Sequence, residues 1–337
     1  MHLSMPEEFC VKVEYIDFNI LDIDKISDEV KKRNTIVIGV ILPNREKTRW
    51  SKAGVAMESE ARNTGSILKV EYNNFNIENQ ISLIEKFIIE KIDVLVIVPL
   101  NQARESEALE KAKKAGIKII AQDIIAKQCP IDLYVGFNML KVGALQGKFL
   151  IDKVPKGNYI ILSGSPNGEL VRRGAMQFIN PLVYSGKINI IADEIVKEWD
   201  PKHAFEIVEK ALIKSENQVD AILASNDAIA GTVIKALQVK ELAGRVVVTG
   251  QDGDYDAVKR IIEGIQAMTV FNNSIELGKK TINYAINLIN NKNIDYNYLI
   301  DNGKIEVAAV LIEPIVLDKT NIYGVIGKTE YYKEYFI

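Results

Sequence analysis

Few residues of this 337-residue chain sit where they could make or break bonds, and their spacing argues against it. Ser163-Gly164-Ser165 follows an apolar run, but a nucleophile elbow needs Gly-x-Ser-x-Gly. The histidine that could act as its base, His203, comes just after Trp199-Asp200-Pro201, where it reads as a solvated first-turn residue of a helix. Two histidines, His2 and His203, and two cysteines, Cys10 and Cys129, are too few for a Cys/His zinc site or a disulfide scaffold. No Gly-x-Gly-x-x-Gly or Gly-x-x-x-x-Gly-Lys-Ser/Thr loop follows a strand, so no nucleotide phosphate site is indicated and no cofactor is expected. Paired carboxylates of the glycosidase kind stay open, because pairing cannot be read from spacing.

Aromatic and polar residues at predicted strand ends say more. The chain holds two tryptophans, Trp50 and Trp199, and each falls in a strand-to-helix connection. Arg49 precedes the first of them. Asp123, Asn226 and Asp252 come at or just after the ends of predicted strands. A pyranose has apolar C–H faces and an equatorial belt of hydroxyls; indole planes suit the faces, and ionised Asp and Arg make strong hydrogen bonds to the hydroxyls. The planar fork of Arg49 can serve two vicinal hydroxyls at once. Asp227, before Ala228-Ile229-Ala230, reads instead as a helix N-cap.

The elements that must position these residues alternate along the chain. Short β-branched runs at 36–42, 68–72, 93–98, 117–121 and 133–137 are separated by segments of helical period at 50–63, 78–90 and 105–115. The pattern restarts with strands at 159–163, 188–192, 221–224 and 246–250. All read as buried on both faces, the state of a doubly wound parallel sheet. The second half also echoes the first. Lys91-Ile92-Asp93-Val94-Leu95-Val96 leads through a helix and Ala115-Gly116 to Gln122-Asp123, and Gln218-Val219-Asp220-Ala221-Ile222-Leu223 leads through Ala243-Gly244 to Gln251-Asp252. The fold class expected is therefore α/β, with two doubly wound lobes facing each other across a cleft at the carboxyl ends of their strands.

Composition agrees with a folded, uncomplicated chain. Hydrophobic residues make up 47% and charged residues 26%, and 42 basic against 45 acidic residues give a net charge of −3. No basic surplus is available to neutralise phosphates, which argues against nucleic acid as a partner. No run approaches the roughly 18 apolar residues of a membrane-spanning helix, and the first residues lack a signal-peptide pattern.

Here the chain resembles the type I periplasmic sugar-binding proteins, and among them the D-xylose binders. The stretches that carry the likeness are Thr48-Arg49-Trp50, Asp93-Val94-Leu95-Val96-Ile97-Val98-Pro99, Gly164-Ser165-Pro166, Trp199-Asp200-Pro201, Ala224-Ser225-Asn226-Asp227-Ala228, Gly250-Gln251-Asp252 and Met268-Thr269-Val270. The resemblance implies a non-enzymatic receptor with two lobes joined by a three-segment hinge. The first lobe is expected to comprise residues 35–137 and 272–303, the second 138–271 and 304–337, with crossings at Phe137-Asn138, Phe271-Asn272 and 303–305. Carried over position by position, Arg49, Trp50, Asp123, Trp199, Asn226 and Asp252 are expected sugar contacts, together with Asn167 and Arg172 in a loop shorter than the family's. Asn272 stands where the family's xylose binders carry lysine, and Ile124 where they often carry arginine after the first-lobe aspartate. D-xylose or a related pentose is the ligand implied, and a sugar-metabolising enzyme is the alternative of a different class.

Residues 1–34 lie outside the family core. Phe9, Val11, Val13 and Tyr15 alternate with polar positions like a strand, and Leu21, Ile23, Ile26 and Val30 suggest an amphipathic helix within 22–33. With eight acidic and five basic residues, the segment does not read as a DNA-binding helix-turn-helix. It reads either as part of the first lobe or as a stalk after an anchor absent from this chain. An extracytoplasmic, membrane-anchored location follows from the second reading, with a membrane sensor histidine kinase as partner. An ABC-type permease is the other partner the family implies, and a second copy of the chain could also dock on the Phe9 face.

Overall fold

The computed structural model describes residues 35–335, apart from residues 47, 102 and 165–167. The amino-terminal strand and helix expected before Thr35, and Cys10 with them, lie outside the described residues.

The first lobe is a seven-stranded sheet. Its strands are β1 (Val37–Leu42), β2 (Ile67–Tyr72), β3 (Val94–Ile97), β4 (Lys118–Gln122) and β5 (Leu133–Phe137), joined by helices α1 (Thr48–Thr64), α2 (Ile77–Ile89) and α3 (Ala103–Lys114). The chain then enters the second lobe through α4 (Met139–Lys153), β6 (Gly157–Gly164), α5 (Glu169–Tyr184), β7 (Ile188–Val196), α6 (Pro201–Lys214), β8 (Ala221–Ala224), α7 (Asp227–Val239), β9 (Val247–Val248), β10 (Gln251–Asp252), α8 (Tyr255–Glu263) and β11 (Met268–Phe271). It returns through α9 (Ser274–Ile289), β12 (Tyr298–Asp301) and β13 (Glu306–Ile312), and ends in the second lobe with β14 (Ile315–Asp318) and the short helix α10 (Ile322–Ile326). The first sheet has the order β12-β13-β5-β4-β3-β1-β2; the second lobe has β7-β6-β8-β9 and a smaller sheet, β10-β11-β14. Pairings are parallel except at β12–β13 and β11–β14.

Both main sheets carry helices on two faces because their central strands are apolar on both. In β1, Ile38, Val40 and Leu42 enter one core and Val37 and Ile41 the other. In β6, Ile160 and Leu162 divide from Tyr159 and Ile161 in the same way. Burial on both faces does not extend to the edges: β2 and β7 are largely half-buried or exposed, since an edge strand has cover on one side only.

The internal echo is a shared hydrogen-bonding plan. Asp93 accepts the Val37 amide through Oδ2 at 2.7 Å, and Asp220 accepts the Asn158 amide through Oδ2 at the same distance. Each aspartate thus ties the start of its strand to the first strand of its lobe.

Two expected boundaries move. The third crossing is at Glu313 and Pro314 rather than at 303–305, because β13 pairs with β5 from Ala309↔Tyr134 to Ile312↔Phe137 and places residues 304–312 in the first lobe. Asn302-Gly303 is instead the turn of the β12–β13 hairpin, where Asn302 N–H bonds the Ile305 carbonyl at 3.1 Å. The strand expected at 246–250 is broken. It ends at Val248, and the chain bends through Gly250 to let Gln251 and Asp252 pair with β11 in the smaller sheet.

Asp93 is buried and Asp220 exposed. Asp93→Ala is therefore expected to cost about 1–3 kcal/mol in urea denaturation, the loss of a buried hydrogen bond to a charged group, and Asp220→Ala clearly less. Equal losses would contradict the burial difference as the deciding factor.

Candidate ligand-binding cleft

The strand ends of the two lobes face one another across a cleft of about 1680 Å³. Arg49 and Trp50 reach it from the first turn of α1, and Asp123 from the residue after β4. Trp199 reaches it from the single 3-10 turn before α6, Asn226 from the cap of α7, and Asp252 from the end of β10. Asp123 and Asp252 both hold backbone at positive φ, 63° and 101°. Few residues other than glycine adopt such angles without support, and here the turn aims each carboxylate inward.

Arg49 joins the lobes. One of its terminal nitrogens donates to Asp123 Oδ1 at 2.6 Å, and the other lies 3.5 Å from Asp252 Oδ1. Its guanidinium carbon also sits 4.4 Å from the Trp50 ring centre, a cation–π stack. Burial works against this cation, but the carboxylates of Asp123 and Asp252 outweigh it and push the pKa up. Burial raises the Asp123 carboxyl; Arg49 pulls it down and Asp252 pushes it further up. The Asp123 carbonyl in turn accepts the Tyr134 hydroxyl at 2.9 Å, which fixes the turn.

The two indoles are held differently. Trp50 is 6% exposed and belongs to the first-lobe core as well as to the cleft. It is thus part of α1 and of the core, not a free loop platform. Trp199 is half-buried, and its ring lies flat on Gly164, where any Cβ would come within 2.2 Å of Cε3. Glycine at the end of β6 is what lets the indole approach.

Asp227 is not the N-cap. Asn226 caps α7, its Oδ1 accepting the Ile229 amide at 2.9 Å, while Asp227 is buried one residue further on. Asp227 Oδ2 accepts the amides of Gly253 and Asp254 at 2.9 and 3.0 Å and the Thr269 hydroxyl at 2.8 Å; Oδ1 accepts from Gln266 Nε2 at 2.9 Å. It is structural, as the cap would have been, but it acts by fixing the loop that carries Asp252. Burial and the neighbouring Asp254 and Asp252 carboxylates raise its pKa well above the ordinary value.

Not every expected contact arrives. Arg172 pairs with Asp193 of β7, Nε to Oδ1 at 2.9 Å, and does not line the cleft. Asn167 lies outside the described residues. Asn272 is buried at the second crossing, with neither amide atom hydrogen-bonded among the described residues, and it is not part of the cleft lining. Ile124 does line the cleft. His203 sits in the first turn of α6, its Nδ1 accepting the Lys197 amide at 3.2 Å, with no serine partner among its described contacts. Cys129 is buried, which pushes its thiol up to about 11.

Among the lining residues that nothing in the sequence singled out are Asp254, Tyr331 and Met139. The Asp252-Gly253-Asp254 spacing could have flagged the first, since both acids flank one turn. Tyr331 is far from the other site residues in the chain, and nothing in its neighbourhood signals a cleft. Among the described residues, no group of three or more His, Cys, Asp or Glu is arranged to hold a metal ion. What the cleft presents around the bridge is the Arg49 guanidinium, several carboxylates and two indole faces, with Arg260 also in the lining, a set that complements vicinal hydroxyls on an apolar ring.

A family model for the periplasmic binding protein domain matches residues 38–293, and the chain belongs to that family, in its type I two-lobed form. It is 40% identical over 288 residues to the D-xylose-binding periplasmic protein of Haemophilus influenzae, covering 85% of this chain and 87% of that one. With the D-xylose-binding periplasmic protein of Escherichia coli it shares 38% identity over 302 residues, 89% and 92% of the two chains. A carbohydrate transporter solute binding protein from Chloroflexus aurantiacus, solved with D-glucose, superposes with a TM-score of 0.81 at 25% identity, covering 89% of this chain and 98% of that one. In keeping with these relatives, the chain is a binding protein and not an enzyme.

Asp254 gives the cleft a pH signature. Burial first, and Asp252 second, push its carboxyl from 3.8 up to about 6. The folded state therefore binds this proton more tightly than the unfolded state, and its contribution to stability falls as pH rises from about 4 to about 6. Asp254 makes no side-chain cap bond to α8, so Asp254→Asn removes the charge without removing a cap. Relative to wild type, the variant is expected to gain melting temperature between pH 4.5 and pH 7.5; an equal difference at both pH values would show that the carboxylate is not strained.

Proposed function

We propose that the protein is an extracytoplasmic receptor whose lobes close on D-xylose or a related pentose and present the closed form to a membrane partner. The observation that carries this reading is the Asp123–Arg49–Asp252 bridge flanked by Trp50 and Trp199, because it draws its members from both lobes. A ligand that touches both groups interacts fully only with the closed arrangement, and that differential affinity is what shifts the population. The cleft exceeds what a single pentose fills, as suits lobes that have further to close.

The similarity to D-xylose-binding periplasmic proteins supports the sugar. Ile124, which lines the cleft, stands where the family's xylose binders often carry a cation, so that wall of the site is less basic and a neutral pentose is favoured over an anionic sugar. The likeness to solute binding proteins of a carbohydrate transporter and of an ABC transporter favours an ABC-type permease as partner. A sensor histidine kinase, the partner to which the sequence leans, has its support in residues 1–34, which lie outside the described residues. No described helix is long and apolar enough to cross a membrane.

Calorimetric titration with D-xylose, D-ribose and D-glucose tests the reading. D-xylose is expected to bind most tightly, and Trp199→Ala to weaken it by about 1–3 kcal/mol with little loss of stability. Trp50→Ala should lose a similar amount of affinity and also about 3–5 kcal/mol of stability, since that ring is also core. Absence of binding to any pentose would overturn the proposal.

A further inference from the structure

The end of the chain, after β14, makes contacts with both lobes. Its anchor is in the second: Tyr331 and Tyr332 pack against Phe271 of β11, with ring centres 5.1 and 5.4 Å away and 5.0 Å from each other. From there the Tyr332 hydroxyl donates to the Gly253 carbonyl at 2.6 Å, one residue beyond Asp252. Gly253 has a φ of 75°, and a Cβ on it would come within 2.7 Å of that hydroxyl, so glycine and tyrosine fit one another at this turn.

The same segment grips the first lobe. Lys52, one turn along α1 from Arg49, holds its ammonium 4.1 Å from the centre of the Tyr331 ring and donates to the Tyr331 carbonyl. Lys279 of α9 donates to Glu330 at 2.8 Å. The two sides of the Arg49–Asp252 contact are therefore each held by the same few terminal residues.

We propose that residues 330–332 form a strap across the hinge, in which Lys52 and Tyr332 are positioning residues that keep the Arg49 helix and the Asp252 turn in register and so set how readily the lobes close. The proposal rests on the sugar-binding reading above for its consequence, but not for its geometry. A protein already biased towards the closed register loses less free energy on binding, because apparent affinity scales with the fraction of molecules that are binding-competent.

Solution scattering of the sugar-free protein and calorimetry with D-xylose test it together on the full chain. Lys52→Met keeps the stem but removes the charge. It is expected to enlarge the sugar-free radius of gyration, leave the sugar-saturated radius unchanged and weaken D-xylose binding about three- to tenfold, the range of one cation–π and charge-assisted contact. Lys52→Arg should restore both. Tyr332→Phe, which removes only the hydroxyl, should weaken binding by a similar factor, whereas a packing role alone would leave it unchanged. Wild-type affinity and sugar-free dimensions in both Lys52→Met and Tyr332→Phe would overturn the strap, as would tighter binding in either. If the wild type binds no pentose, the sugar reading fails, and the sugar-free radius of Lys52→Met still decides the strap.

Discussion

A guanidinium drawn partly out of water needs carboxylates to match it, and Arg49 finds one on each lobe. Much of the cleft is arranged around that requirement. Asp123 and Asp252 occupy equivalent places in the two halves, each about 30 residues beyond the aspartate that ties a strand to its lobe's first strand. Duplicated lobes placed face to face bring two carboxylates to one point, where a cation must answer them. Trp50 then shields the cation on one face. The arrangement draws on both lobes, and under the proposed function binding and closure would be parts of one event.

The second lobe holds its half of the bridge with unusual firmness. Asp227 is a buried carboxylate that collects four hydrogen bonds from two stretches of chain, 253–254 and 266–269, and two of them fix the turn after Asp252. Burial penalises that charge, and the penalty is offset only while those donors stay in place. Arg260 reinforces it, donating to the Asp227 carbonyl at 3.0 Å and to Gln266 at 2.9 Å. Asp252 is thus positioned by a network deeper than itself, and Asp254, beside it, carries the electrostatic strain of three acids in one turn.

Much of this was legible in the residues. Apolar runs fully buried in β1, β3 and β8 imply parallel central strands, and the Asp-to-Asp echo implies two lobes. Arg49, Trp50, Asp123, Trp199, Asn226 and Asp252 all stand at strand ends or helix starts, where period and position are informative, and the structure gathers them into one cleft. The parts that were not legible depend on long-range pairing. Val307 to Ile312 reads as an apolar strand in either lobe; only its register with β5 assigns it to the first. Asp227 and Asn226 are both good capping types, and which one caps is decided by donors about 26 to 42 residues away. Arg172 looked available for a ligand until Asp193, on the neighbouring strand, claimed it.

The bridge itself can be measured most directly by a double-mutant cycle on D-xylose affinity, using Arg49→Met, Asp252→Asn and the two combined. If Arg49 and Asp252 act as one unit that the sugar completes, the double variant should lose little more than the worse single one, with a coupling of about 1–3 kcal/mol. Losses that simply add would mean the two residues contact the ligand independently, and would contradict the account of a cleft built around a shared cation.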